Sequence, residues 1–209
     1  NATLTLATPG ASGSLGANNA LVIDTTAPTI AITSGASSLK AGETTTVTFT
    51  LSEASTDFVA DDISVTGGSI GSLTAVSDKV YRATFTPTAD STTDGVISVA
   101  SSKFSDSAGN ENADGSESNN TLTLSVDTVR PTIAITSSAS SLKAGETTTV
   151  TFTLSEASTD FVEGDISVSG GELSNFAGSS STVYTATFTP TTDSTTDGVI
   201  SVASSKFSD

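Results

Sequence analysis

Most of the ionisable side chains in this sequence are carboxylates. The 209 residues include 23 Asp and Glu against 7 Lys and Arg, and they include no Cys, Met, Trp or His. This composition excludes a disulfide framework, the usual zinc and haem sites, a cysteine nucleophile and a Ser-His-Asp triad. Oxygen ligands without His or Cys suit calcium, which binds oxygens in flexible geometry.

One stretch has the spacing of a calcium-binding loop. Residues 110–115 (Asn-Glu-Asn-Ala-Asp-Gly) match positions 1, 3, 5 and 6 of an EF-hand loop. Position 12, however, is Thr121 instead of a bidentate Glu, and no flanking helices are predicted. The sequence therefore argues against an EF-hand. It leaves open a looser turn site or an ordinary turn, in which Asn, Asp and Gly are common.

The charge and the aromatic content limit the classes of partner and reaction. A net charge of −16 makes nucleic acid and anionic membranes poor partners and cations natural ones. A glycosidase needs paired carboxyls in a cleft, usually beside aromatic platforms, yet Trp is absent and Tyr81 and Tyr184 fall on the apolar side of their strands. We therefore expect no enzymatic activity.

The chain is built from an internal repeat of 103 residues. Residues 24–106 align with 127–209 without a gap and share 65 of 83 positions. Ten of the 18 differences fall in 69–79, which predicts a variable loop and short edge strand on a fixed framework. We expect a first repeat at 24–126 and a second at 127–209 that lacks its last strand. Residues 1–23 are then the tail of a preceding domain, with its last strand at 1–6 or 20–23.

Hydrophobic alternation with a period of two identifies the strands of each repeat. Apolar residues alternate with Thr and Ser around Ile30, Phe49, Val65, Phe85 and Ile97, and again in 122–126. One apolar and one polar face per strand is typical of antiparallel sheets with one buried side. Six or seven such strands per ~100 residues predict an all-β fold of tandem immunoglobulin-like sandwiches with Greek-key connections.

Four short motifs make the repeat resemble a known family. They are Asp-Thr-x-x-Pro-Thr at 24–29 and 127–132, Val-Thr-Phe-Thr-Leu-Ser-Glu at 47–53 and 150–156, Asp-Ile at 62–63 and 165–166, and Phe-Ser-Asp-Ser-Ala-Gly-Asn at 104–110. They resemble the bacterial immunoglobulin-like domains of large repetitive adhesins, of the RTX and biofilm-associated type. The resemblance implies non-enzymatic spacers secreted to the cell surface, with calcium stiffening the domain junctions. The second repeat departs from it by lacking the Ala-Gly-Asn element.

An immunoglobulin-like topology places the candidate calcium ligands at the two poles of each domain. The pole where the chain begins receives Asp24, Glu53, Asp57, Asp106 and Asn110, and the opposite pole receives Asp90 and Asp94. A junction between repeats would then gather Asp90, Asp94, Asp127, Glu156, Asp160 and Asp209. For any single residue of this set, the alternative to a calcium ligand is an acidic loop residue that only keeps the surface solvated.

Two functions from different classes follow. The first is a structural extender of a bacterial surface adhesin, whose partners are neighbouring repeats of the same chain and whose junctions are stiffened by calcium. The second is an adhesion module that binds a glycan or protein through the variable segments 69–79 and 172–182. The missing last strand of the second repeat further predicts strand exchange between molecules, with 1–6 or 20–23 as the donor.

Overall fold

The computed structural model describes residues 8–12, 14, 16, 23–114 and 118–209. The chain divides into two compact units, Asn1–Thr128 and Val129–Asp209. Both strands proposed for the tail of a preceding domain, 1–6 and 20–23, lie outside the described residues except for Ile23.

The first unit is a sandwich of two sheets. Its strands are β1 (Ile30–Ser34), β2 (Ser38–Lys40), β3 (Thr45–Leu51), β4 (Ile63–Thr66), β5 (Gly68–Ile70), β6 (Thr74–Ala75), β7 (Val80–Pro87), β8 (Gly95–Val99) and β9 (Thr121–Asp127), with a 3₁₀ turn at Ala60–Asp62. One sheet has the order β1-β3-β7-β5, with β6 also paired to β7, and the other has the order β2-β9-β8-β4. All pairs are antiparallel except β2 with β9.

The predicted alternation accounts for the core. In β3, Val47, Phe49 and Leu51 are buried while Thr46 and Thr50 are exposed. Buried residues of both sheets form one cluster, which includes Phe85 from the first sheet and Ile97 and Leu124 from the second. The two sheets therefore pack face to face, which confirms the predicted all-β antiparallel architecture.

The second unit repeats this framework in part. Its strands are β10 (Ile133–Ser137), β11 (Thr148–Leu154), β12 (Ile166–Ser169), β13 (Gly171–Gly178), β14 (Val183–Pro190) and β15 (Val199–Val202), with a 3₁₀ turn at Glu163–Asp165. The sheet orders are β10-β11-β14-β13 and β12-β15. The register is conserved at the offset of 103, since Ile30 pairs with Leu51 and Ile133 with Leu154.

Aromatic side chains fasten the loop after β3 to the first core. The Phe58 ring lies 5.8 Å from Phe49, 5.1 Å from Tyr81 and 5.3 Å from Phe104, measured between ring centroids. The Tyr81 hydroxyl donates a hydrogen bond of 2.9 Å to the backbone carbonyl of Ser55. These contacts hold the segment that carries Glu53 and Asp57 close to the segment after Phe104.

Candidate metal centre

Three carboxylates from distant parts of the first repeat meet at one point. One side-chain oxygen from each of Asp24, Glu53 and Asp106 lies within 4.8 Å of the others. Asp24 precedes β1, Glu53 follows β3, and Asp106 lies between β8 and β9. We call this group the carboxylate triad. Three negative charges at this spacing repel each other, by about 1 kcal/mol per pair in water and more at lower dielectric, and a cation would offset that repulsion.

Asp106 is buried and held in place by its own loop. Its Oδ1 accepts the backbone N–H groups of Ala108 (2.8 Å) and Asn110 (2.9 Å), and its Oδ2 accepts the Asn110 side-chain amide (2.8 Å). The hydrogen bond from the Asn110 side chain, with those from the backbone, lowers the pKa of Asp106 despite the opposing effect of burial. Three of its roughly four acceptor positions are used, so one on Oδ2 is left for a cation.

Asn110 orients Asp106 within the carboxylate triad. Its amide nitrogen donates to Asp106 Oδ2 and also, at 3.2 Å, to the backbone carbonyl of Asp24. It therefore ties the start of the repeat to the loop that carries Asp106. The sequence predicts Asn110 as a ligand, which its side-chain oxygen could still be, while its amide nitrogen is directed at Asp106.

Asp57 links two loops by hydrogen bonds to Ser55 and Ser105, and we call this set of contacts the clasp. Its carboxylate accepts the backbone N–H (2.9 Å) and the hydroxyl (2.6 Å) of Ser105 and the hydroxyl of Ser55 (2.7 Å). Burial raises the pKa of Asp57, but these hydrogen bonds outweigh that effect and the pKa is lowered. Asp57 is outside the triad, and it holds the loop after β3 against the residue that precedes Asp106.

The second repeat has the same clasp. Asp160 accepts the backbone N–H (2.9 Å) and hydroxyl (2.7 Å) of Ser208 and the hydroxyl of Ser158 (2.7 Å). The backbone hydrogen bond from Ser208, followed by the two serine hydroxyls, lowers the pKa of Asp160 to about 2. The clasp is thus a property of the repeat.

Five further candidate ligands lie elsewhere in the chain. Asp90 adopts a positive φ of 51° in the turn after β7, and Asp94 lies exposed just before β8. In the described part of the chain neither belongs to a group of three close carboxylates. Asp127, Glu156 and Asp209 occupy, 103 residues on, the positions of the triad. Asp127 ends β9 in the first unit, while Glu156 and Asp209 belong to the second.

The stretch with EF-hand spacing has a structural role. Asn112 is 1% exposed, and its Oδ1 accepts the backbone N–H groups of Lys103 (2.7 Å) and Phe104 (3.1 Å). Asp114 Oδ1 accepts the Ile30 N–H at 2.7 Å. These side chains fix the loop to β1 and to the segment that follows β8. The sequence left a turn site and an ordinary turn open, and it gave no signal that Asn112 and Asp114 would be buried.

The variable segment offers no aromatic platform in the described residues. Phe176, its one aromatic, stacks on Tyr184 at 5.6 Å with an interplanar angle of 11°, and it also contacts Phe161 edge-on at 5.6 Å. It packs against the second core, as its counterpart Leu73 packs against the first. This placement weakens the glycan-binding alternative.

No helix among the described residues combines the length and the apolar character needed to cross a membrane.

Comparison with known proteins gives a family and a fold. A family model for a bacterial Ig-like domain matches residues 24–123 and 127–209. The chain is similar to the solved structure of FdeC, an Escherichia coli adhesin, with 21% identity and a TM-score of 0.45 over 77% of this chain and 55% of that one. It is also similar to the adhesin InvE of Yersinia pseudotuberculosis, with 17% identity and a TM-score of 0.39 over 77% and 51%. The chain thus spans about half of each solved chain, and no curated protein matches it.

Proposed function

The chain belongs to the bacterial Ig-like domain family, and we propose that it forms structural extender repeats of a large bacterial surface adhesin. In this proposal calcium binds the carboxylate triad of each repeat and stiffens the junctions between repeats. The proposal includes secretion to the cell surface, membership of the RTX or biofilm-associated adhesins, and no enzymatic activity. The near identity of the two repeats, 65 of 83 positions, supports a spacer built by repetition.

The geometry of Asp24, Glu53 and Asp106 carries the proposal. Their oxygens converge from three separate segments, and Asp106 is already oriented by Asn110. Hard oxygen donors suit calcium, and a bound ion would supply the positive charge that three close carboxylates need. Extracellular calcium modules bind at about 10⁻⁴ to 10⁻³ M, which matches a small ligand set of this kind.

The second repeat carries residues equivalent to the carboxylate triad, at an offset of 103. Asp127 stands where Asp24 stands in the first repeat, and it is also the last residue of β9. An ion held by Asp127, Glu156 and Asp209 would therefore take ligands from the end of one repeat and from two loops of the next. Such an ion restricts bending because the linker between repeats can no longer move independently of those loops.

Small-angle X-ray scattering of the 209-residue chain tests this function. Calcium should make the two-repeat particle more rigid, seen as a larger maximum dimension and a less flexible Kratky profile than in EDTA, with magnesium much less effective. Glu156→Gln should abolish the calcium response. Glu53→Gln is the matched control, because it alters the equivalent site that lies away from the junction, and it should leave the response intact. Identical profiles in calcium and EDTA would refute the proposal.

A further inference from the structure

A single threonine ties the segment after β9 to the loop that follows β7. Thr128 is the residue directly after β9, and it is 3% exposed. Its hydroxyl donates to the backbone carbonyl of Thr88 at 2.6 Å and accepts the backbone N–H of Ser91 at 2.9 Å. Its own N–H donates to the Ser91 carbonyl at 2.9 Å. We call these three hydrogen bonds the Thr128 anchor, and all of its atoms lie within the first unit.

The loop that receives Thr128 has a defined backbone conformation. Asp90 has a positive φ of 51°, and the Thr88 N–H donates to the Gly67 carbonyl at 3.0 Å. Gly67 has a φ of +70°, and a Cβ at this position would lie 2.1 Å from the backbone oxygen of Asp94. Glycine is therefore needed where β4 gives way to β5, because it lets the chain approach both ends of the loop.

The same loop recurs in the second repeat. Nine of the ten residues in 86–95 are found again in 189–198. Asp193 has a φ of 54°, and the Thr191 N–H donates to the Gly170 carbonyl at 3.0 Å. The conformation that binds Thr128 is thus a property of the repeat.

The Thr128 anchor directly follows a candidate calcium ligand. Asp127 ends β9, which pairs with β2 at this residue, so the strand holds it on one side and the anchor holds it on the other. Beyond the linker, the Thr132 N–H donates to the Ser155 hydroxyl at 2.8 Å, and the Ser155 N–H donates to the Thr132 carbonyl at 2.9 Å. Residues 129–131 are the backbone between these two attachment points.

We propose that the 88–91 loop is a docking surface for the start of the following repeat, and that Thr128 is the positioning residue that it binds. The recognised group is the Asp-Thr pair that opens the repeat, here 127–128. Docking fixes the backbone direction at Asp127 and confines the freedom of the linker to 129–131. The anchor joins uncharged groups, so it forms without calcium. It therefore adds a metal-independent element to the junction, beyond the calcium sites of the proposed function.

Thr128→Val tests the anchor, because valine keeps the shape of the side chain and removes the hydroxyl. Amide hydrogen exchange in EDTA measures the result. Losing two hydrogen bonds should accelerate exchange of the Ser91 and Thr128 amides by about 30-fold. Thr128→Ser keeps the hydroxyl and should retain most of the protection.

Thr25→Val is the matched control. Thr25 is the counterpart of Thr128 in the first repeat, but it is exposed, and its hydroxyl makes no hydrogen bond to another described residue. The same substitution there should leave the exchange of the Ser91 and Thr128 amides unchanged. Amides of β3 and β7 report whether each variant keeps the fold of the first repeat.

Nuclear magnetic relaxation in EDTA separates positioning from a purely structural role. In the parent chain the Thr128 N–H should have an order parameter near ~0.85, as in rigid backbone, and Thr128→Val should lower it towards ~0.6. The order parameters of β3 and β7 should not change. In calcium, Thr128→Val should weaken the site proposed for Asp127, Glu156 and Asp209 several-fold; this calcium arm alone rests on the proposed function.

Unchanged exchange and order parameters at Thr128 in Thr128→Val would overturn the proposal. Equal loss of protection throughout the first repeat would also overturn it, because Thr128 would then stabilise the whole sandwich without positioning the linker. A parent chain that binds no calcium would count against the proposed function alone, since the exchange and relaxation measurements in EDTA still decide whether the anchor exists.

Discussion

Replacing Glu53 by Gln should stabilise the first repeat in the absence of calcium and should reduce the stabilisation that calcium provides. In EDTA, Glu53 repels Asp24 and Asp106 across distances within 4.8 Å. Each pair of unit charges costs about 1 kcal/mol in water at this separation. Glu53→Gln removes the charge while keeping the shape of the side chain, so it should stabilise the first repeat by up to about 2 kcal/mol at low salt. That corresponds to a rise of roughly 8–16 °C in its melting temperature.

With 10 mM calcium the stability advantage of Glu53→Gln over the parent should shrink or change sign. A site with a Kd of about 10⁻⁴ to 10⁻³ M stabilises the parent repeat by about 1.4–2.7 kcal/mol at this concentration, which raises its melting temperature by roughly 5–20 °C. Glu53→Gln has lost a charged ligand and should gain much less. Calcium should therefore narrow or reverse the difference in melting temperature between the parent and Glu53→Gln.

Differential scanning calorimetry in EDTA, in calcium and in magnesium measures both effects. Glu111→Gln is the matched control: it removes one carboxylate from the same pole but not from the triad. The reasoning is refuted if Glu53→Gln lowers the melting temperature equally in EDTA and in calcium, because Glu53 would then act as an ordinary structural residue.

Three further predictions concern the clasps and the variable segment. Asp57→Asn removes the charged acceptor of the two Ser105 hydrogen bonds and should destabilise the first repeat by about 1–2 kcal/mol in urea unfolding at neutral pH, whether or not calcium is present. The pKa of Asp160 is lowered to about 2, so its contribution to stability is present above about pH 4 and is lost as the pH falls towards 2; acid titration should show parent and Asp160→Asn converging over that range. Phe176→Leu, which installs the residue type of Leu73, should cost less than about 1.5 kcal/mol, whereas Phe176→Ala should cost about 2–3 kcal/mol, since the partly buried Phe176 packs against the second core.

The strands could be predicted from sequence because burial follows a period of two. Val47, Phe49 and Leu51 alternate with threonines, and that pattern alone fixes which face of β3 is inside. The state of 141–143 could not be predicted in this way. Its residues are identical to those of β2, but no strand among the described residues pairs with them, so the difference has a non-local cause.

The separate roles of the acidic residues also could not be predicted from the sequence. Topology was enough to expect Glu53 and Asp57 at one pole with Asp106, but residue type could not separate their roles. The structure separates them because Asp57 is occupied by Ser105 and Ser55, while Glu53 joins the carboxylate triad. Hydrogen-bond partners of this kind depend on loop conformations, which are not encoded in a periodic pattern.

Calcium titration by isothermal calorimetry measures directly whether the carboxylate triads bind calcium. We expect one site per repeat, with a Kd of about 10⁻⁴ to 10⁻³ M and little response to magnesium. Glu53→Gln should remove one site, and the double variant with Glu156→Gln should remove both. Absence of calcium binding to the parent chain, or binding that the double variant retains, would contradict the account.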